Sequence, residues 1–169
     1  MRYNSIVYND TVNGKGMRIS LFVQGCNCRC KGCFNEHDSW DFNGGKEFTQ
    51  KELDEIMFVL KTYSKQYDGI SLLGGNPTDN LDICNLVIDT FRKEFKHTKD
   101  IWIWSGHYWE EIIKDKDKLN MVSKCDILID GRYKEELRDV TLHWRGSSNQ
   151  RVINVNKSLL NGKIELFED

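Results

Sequence analysis

The chain has 169 residues, 39% of them hydrophobic and 30% charged, with a formal net charge of −2 at pH 7. Those are values for a single globular domain that can bury its own core, and they leave no electrostatic footprint for nucleic acid or an anionic membrane. The opening MRYNSIVYND lacks a signal-peptide core and no apolar run nears the roughly 18 residues of a membrane span, so a soluble cytoplasmic protein is expected.

Met17 to Gly25, MRISLFVQG, reads as a buried strand. It runs into GCNCRCKGCFN, where four of the six cysteines stand, at Cys26, Cys28, Cys30 and Cys33. FTQKELDEIMFVLKTYSKQY then shows helical periodicity. Leu53, Ile56, Met57, Leu60, Tyr63 and Tyr67 share one face, and Thr49 with Glu52 makes a capping box. Gly69 to Pro77, GISLLGGNP, is a short strand stopped by two glycines and the only proline. A second amphipathic helix follows, with Cys84, Val87, Ile88, Phe91 and Phe95 on its inner stripe. IWIWSGH, Ile101 to His107, is the next strand; of Trp102 and Trp104, one is expected in the core and the other against the helices. A helix over about Tyr108 to Val122 and a strand from Asp126 to Gly131 come next. A β-hairpin over about 151–169, turning at Asn161-Gly162, ends the chain.

Alternating strands and helices predict a parallel α/β sheet with right-handed crossovers, in one domain over residues 1–169. Ligands gather at the carboxyl ends of such strands. The cysteine loop, GGNP, SGH and DGRY each follow a strand, so all four should face one mouth.

In a reducing cytoplasm disulfides are disfavoured, and near neighbours such as Cys26 and Cys28 reach disulfide torsions poorly, so ligation is expected. Using all four thiols would close a metal site, as in a zinc knot or an electron-transfer cluster. Omitting Cys28 leaves C-x-x-x-C-x-x-C, three thiolates that would leave one iron of a four-iron cluster open. The spacing matches neither the separated pairs of zinc knots nor the C-x-x-C-x-x-C-x-x-x-C run of bacterial ferredoxins.

Cys26, Cys30 and Cys33 after a strand resemble the signature of the radical S-adenosylmethionine (SAM) superfamily. VNGKGMR, LLGGNP, IWIWSGH, ILIDGRY and WRGSSNQR extend the resemblance over nearly the whole chain, to the activating proteins of anaerobic (class III) ribonucleoside-triphosphate reductases. The resemblance implies an incomplete parallel β/α barrel, a [4Fe-4S] cluster on Cys26, Cys30 and Cys33, and SAM on the remaining iron. It implies SAM contacts at Gly32, Cys33, Phe34, Gly74, Gly75, Asn76, Ser105 and Asp130. The superfamily often has an acidic residue where Asn76 stands. Bland readings lie beside these: Phe34 packing under the loop, Ser105 serving a turn, Asp130 capping a neighbouring segment.

The implied activity is reductive cleavage of SAM to a 5′-deoxyadenosyl radical, which forms a glycyl radical near the C-terminus of the reductase. A low-potential protein such as a flavodoxin is the implied electron donor. About 135 residues follow the cysteine loop, too few for a substrate domain, which fits a protein substrate. An activase of pyruvate formate-lyase would share the chemistry. A four-cysteine zinc or iron–sulfur module is the alternative of another class. Arg145 and Arg151 sit in a donor-rich loop suited to a partner. His37, His107 and His143 stand alone, and Cys84 and Cys125 read as small core residues.

Overall fold

The structure, a computed structural model, describes residues 1–35 and 39–168. Its strands are β1 (Arg2–Asp10), β2 (Arg18–Val23), β3 (Lys46–Glu47), β4 (Gly69–Gly74), β5 (Asp100–Ser105), β6 (Ile127–Asp130) and β7 (Arg151–Asn154). The helices are α1 (Gln50–Thr62), α2 (Leu81–Phe95), α3 (Trp109–Ile112), α4 (Lys116–Val122) and α5 (Val155–Asn161).

All seven strands form one sheet in the order β3-β1-β2-β4-β5-β6-β7. The four central strands, β2, β4, β5 and β6, are parallel neighbours, as their spacing by helices predicts. The flanks are antiparallel: β1 pairs with β2 and β3, and β7 with β6. The fold is therefore a mixed α/β sheet with a parallel centre and two edges. No helix among the described residues is long and apolar enough to cross a membrane.

Alternate residues of the central strands face the helices. Ile19, Leu21, Val23, Ile70, Leu72, Ile101, Ile103 and Leu128 pack with the inner stripes of α1 and α2 into one buried core. Cys84 and Cys125 belong to it, at 0% and 1% exposure, and burial pushes both thiols well above their ordinary range. On the other face Trp102, Ile127 and Ile129 form a smaller cluster with Trp104, Trp144, Val152 and Phe167. The tryptophan expectation is corrected here: residues two apart on a strand share a face, and the Trp102 and Trp104 rings lie 6.2 Å apart in this cluster.

The Thr49–Glu52 capping box forms: Glu52 Oε2 accepts the Thr49 N–H at 2.7 Å, and Thr49 Oγ1 accepts the Lys51 N–H at 3.3 Å. Three other elements depart from expectation. β1 was not foreseen, because Asn4, Ser5, Asn9 and Asp10 interrupt its apolar alternation and two register shifts break its pairing with β2. The helix expected from Tyr108 to Val122 is two helices. Asp115 is extended between them and accepts the N–H groups of Asp117 and Lys118, both at 3.1 Å, as a new N-cap. The C-terminal hairpin is replaced by α5, which Asn154 caps and Gly162 ends at φ 65° in the left-handed region. Past Gly162 the chain returns beside β7 with Asn154 N–H on the Glu165 carbonyl at 2.8 Å.

Two arginines tie the amino ends of the strands. Fully buried Arg18 donates to Ser71 Oγ and the Ile70 carbonyl, both at 2.7 Å, and pairs with Asp100. Arg92 donates to the Lys124 carbonyl at 2.8 Å and to Asp126 at 2.6 Å. The opposite, carboxyl ends are left for the site.

Thr49→Ala should lower unfolding stability by about 1 kcal/mol, the usual worth of an N-cap. Tyr63→Ala, 49% exposed past the end of α1, should stay within about 0.5 kcal/mol. Urea unfolding of both variants checks the contrast.

Candidate metal centre and cofactor cavity

The turns leaving β2, β4, β5 and β6 meet around one cavity of about 700 Å³. Cys26, Cys28, Cys30 and Cys33 line it, together with Gly74, Gly75, Asn76, Ser105 and Gly106. The four punctuated stretches do share one mouth. Gly32 and Phe34 also border it; Phe34 is 97% exposed, at the rim rather than under the loop. His37 lies outside the described residues.

The double glycine exists for backbone contact. Gly74 has φ 105°, and a Cβ there would come within 2.7 Å of the Phe22–Val23 backbone. On Gly75 it would lie 2.4 Å from the Gly25 carbonyl oxygen. That carbonyl accepts the Asn76 N–H at 2.9 Å and Asn80 Nδ2 at 2.8 Å, so the β4 turn grips the root of the cysteine loop. Farther along, Asn35 Nδ2 donates to the Gly74 carbonyl at 3.0 Å.

Asn76 is buried, and its amide is spent inside the protein. Nδ2 donates to Asp79 at 2.9 Å, and Oδ1 accepts from Thr78 Oγ1 at 3.0 Å and from the Gly106 N–H at 3.3 Å. Ser105 Oγ is likewise engaged, with Thr78 Oγ1 at 2.7 Å and the His107 N–H at 3.0 Å. What these turns offer a ligand is therefore mainly backbone. Asp130 is fully buried and does not line the cavity. It caps α3 through the Trp109 N–H at 2.7 Å and receives both Nε and Nη2 of Arg151.

Two residues missed as functional stand beside the thiols. Asp79 accepts from His107 Nε2 at 3.0 Å and from the Asn27 N–H at 2.9 Å, tying the loop between Cys26 and Cys28 to the β4 and β5 turns. Burial opposes its ionisation, yet the bonds from His107, Asn27 and Asn76 outweigh it and hold the carboxyl below the ordinary range. His107, isolated in the sequence, is in the structure the partner of Asp79. Tyr133, on the segment after β6, lines the same cavity as Cys30, and its backbone N–H favours the Cys30 thiolate. The only earlier signal for either was that each follows a central strand.

The thiols differ. The neighbouring Cys28 thiol, against burial, brings Cys26 down to about 6, while Cys28 itself is pushed up. Burial and the neighbouring Cys33 raise Cys30. Among the described residues the tightest ligating set is Cys26, Cys28 and Asp79, whose sulfur and oxygen atoms lie within 4.8 Å of one another. Converging thiols, one of them inclined to ionise, are the donor set an iron–sulfur cluster requires.

A family model described as a 4Fe-4S single cluster domain matches residues 12–153. Proteins named anaerobic ribonucleoside-triphosphate reductase-activating protein align over nearly the full length. The one from Haemophilus influenzae is 38% identical, covering 90% of this chain and 97% of its own. That from Escherichia coli is 36% identical with the same coverage, and that from phage T4 is 39% identical over 90% and 93%. The chain belongs to this family of reductase-activating proteins. QueE from Escherichia coli, a solved structure, superposes at a TM-score of 0.41 and 14% identity, over 62% of this chain and 52% of its own, a likeness too slight to add to the assignment.

In this family member the loop RGSSNQR turns inward. Arg145 Nη1 donates to the Gln150 carbonyl at 2.6 Å, Asn149 Nδ2 to the Arg132 carbonyl at 2.8 Å and Gln150 Nε2 to the Gly131 carbonyl at 3.0 Å. It clamps the segment that carries Tyr133 to Cys30.

Arg151→Ala would leave the Asp130 carboxylate buried without its cation and should cost about 3 kcal/mol. Arg132→Ala removes a solvent-facing pair with Glu111 and should cost under about 1 kcal/mol. Urea midpoints of the two variants distinguish a clamp from a surface pair.

Proposed function

We propose that this chain is a radical SAM activase of the anaerobic ribonucleoside-triphosphate reductase. The observation that carries the reading is the convergence of four cysteines on one cavity at the carboxyl ends of parallel strands, in a member of this family. On this reading Cys26, Cys30 and Cys33 hold the [4Fe-4S] cluster, and the whole chain serves as one radical SAM domain whose sheet is the incomplete barrel of that superfamily. The cavity lies within the several-hundred-Å³ range that suits a SAM-sized ligand. Gly74, Gly75 and Asn76 would meet SAM through backbone, with Ser105, Gly32, Cys33 and Phe34 around it, while Asp130 acts from behind by capping α3.

When bound, the reduced cluster would supply one electron to the sulfonium C–S bond of SAM, chemistry that yields methionine and a 5′-deoxyadenosyl radical able to take a hydrogen atom from a glycine Cα of the reductase. The chain's own residues bind and orient. Asp79 with His107 fixes the loop on either side of Asn27. Val12, Phe34 and Val140 leave an apolar rim at 74%, 97% and 81% exposure, suited to a glycine-bearing segment from the C-terminal region of the reductase. A flavodoxin-type donor in the cytoplasm completes the scheme.

Reconstitution with iron and sulfide under anaerobic conditions should give a reduced-cluster paramagnetic signal that changes on adding SAM. A glycyl radical should then form on the reductase and not on pyruvate formate-lyase. Cys26→Ala, Cys30→Ala and Cys33→Ala should each lose most bound iron. A cluster signal indifferent to SAM, with no radical on the reductase, would sink the proposal.

A further inference from the structure

Cys28 is the thiol that the proposed cluster leaves out, and it is well placed. Its sulfur accepts from Asn76 Nδ2 at 3.6 Å and sits 2.6 Å from where a Cβ on Gly106 would lie. The Cys26 and Cys28 sulfurs and an Asp79 carboxylate oxygen fall within 4.8 Å of one another. A tetrahedral ion at a metal–sulfur distance of about 2.3 Å holds its ligand atoms roughly 3.8 Å apart, so a small side-chain adjustment closes this set on one ion.

Asp79 is held as a ligating carboxylate should be. Its side chain is 5% exposed, with His107 Nε2 on one oxygen and the Asn27 N–H and Asn76 Nδ2 on the other. Such outer partners fix the direction of a ligand's free lone pairs. The Asn27 bond also pins the backbone between the two cysteines. Two thiols and one carboxylate, with the cavity open for a water, suit a soft or borderline cation and not magnesium or calcium.

We propose that Cys26, Cys28 and Asp79 form a mononuclear site for a thiophilic divalent cation of the zinc or ferrous class, filled when the cluster is absent. Cys26 belongs to both sets, so ion and cluster exclude one another. The exclusion rests on the proposed cluster ligands, whereas binding of the ion to Cys26, Cys28 and Asp79 does not.

The test uses the full chain, reduced, anaerobic and free of cluster, titrated with Co²⁺ alone. Thiolate-to-cobalt charge transfer and the visible bands of a tetrahedral centre should report one ion per chain. Affinity should fall at least about 10-fold in Cys28→Ser and in Asp79→Asn, and stay unchanged in Cys33→Ser. Cys28→Ser is nearly isosteric, and its far-ultraviolet circular dichroism should match the parent, so it is the deciding variant. Unchanged affinity in Cys28→Ser overturns the proposal. Loss of binding in Cys33→Ser does so too, because it assigns the ion to the three cluster cysteines.

Discussion

The cysteine side of the mouth depends on the contact between two strand exits, Gly25 after β2 and Gly74-Gly75 at the end of β4. The parallel ladder runs to Val23 opposite Gly74, and Gly75 N–H continues it onto the Val23 carbonyl at 2.8 Å. Gly25 then serves two donors from the β4 turn, and no side chain fits between the backbones. The cysteine loop therefore leaves a rigid edge in a fixed direction. A loop of small and charged residues has little apolar surface to bury, so it leans on anchor points along its length. Among them are Cys26 N–H on the Trp40 carbonyl, Asn27 on Asp79, Asn76 on Cys28 and Asn35 on Gly74. Metal ligation supplies order of the kind that such a loop lacks, since binding free energy at a thiolate site is also folding free energy.

The far side of the mouth is built on a different interaction. Asp130 ends β6 with no exposure to water, a costly position for a carboxylate. Arg151, opening β7 directly across the ladder, answers it and stacks its guanidinium over the Tyr108 ring at 5.6 Å. One antiparallel strand thus does two things: it closes the sheet's edge and neutralises the charge that caps α3. The side-chain amides of Asn149 and Gln150 extend the clamp to the backbone after β6, and Tyr133 is the end of that chain of contacts.

The parts of this fold legible in the sequence are those where burial imposes a period. α2 shows its inner stripe because Cys84, Val87, Ile88, Phe91 and Phe95 must all reach one core, and the parallel strands read as apolar runs because both faces are covered. β1 has half-buried residues on both faces and two register shifts, so it leaves no period to read. Asp115 could sit within a helix or cap one, and only its bonds to Asp117 and Lys118 decide. In the site, the cysteines announce themselves by spacing. Asp79 and His107 do not, being 28 residues apart and joined only because β4 and β5 are neighbours. RGSSNQR reads as a donor-rich surface loop, and nothing in its composition reveals that its donors are answered by Gly131, Arg132 and Asp130.

Those answered donors bear on what can cover the mouth. Asn76, Ser105, Arg151 and Gln150 spend their polar groups on the protein itself, and the exposed side chains of the rim are mixed, with Val12, Phe34 and Val140 beside Glu135 and Arg138. Val12, Phe34 and Val140 come from the loops after β1 and β2 and from the segment between β6 and β7, surrounding the opening from different sides. A peptide segment can bury the apolar part of such a rim. Radical chemistry requires water to be excluded at the moment of reaction. On the proposed reading, a segment of the substrate protein packed against the exposed Val12, Phe34 and Val140 side chains would supply that exclusion.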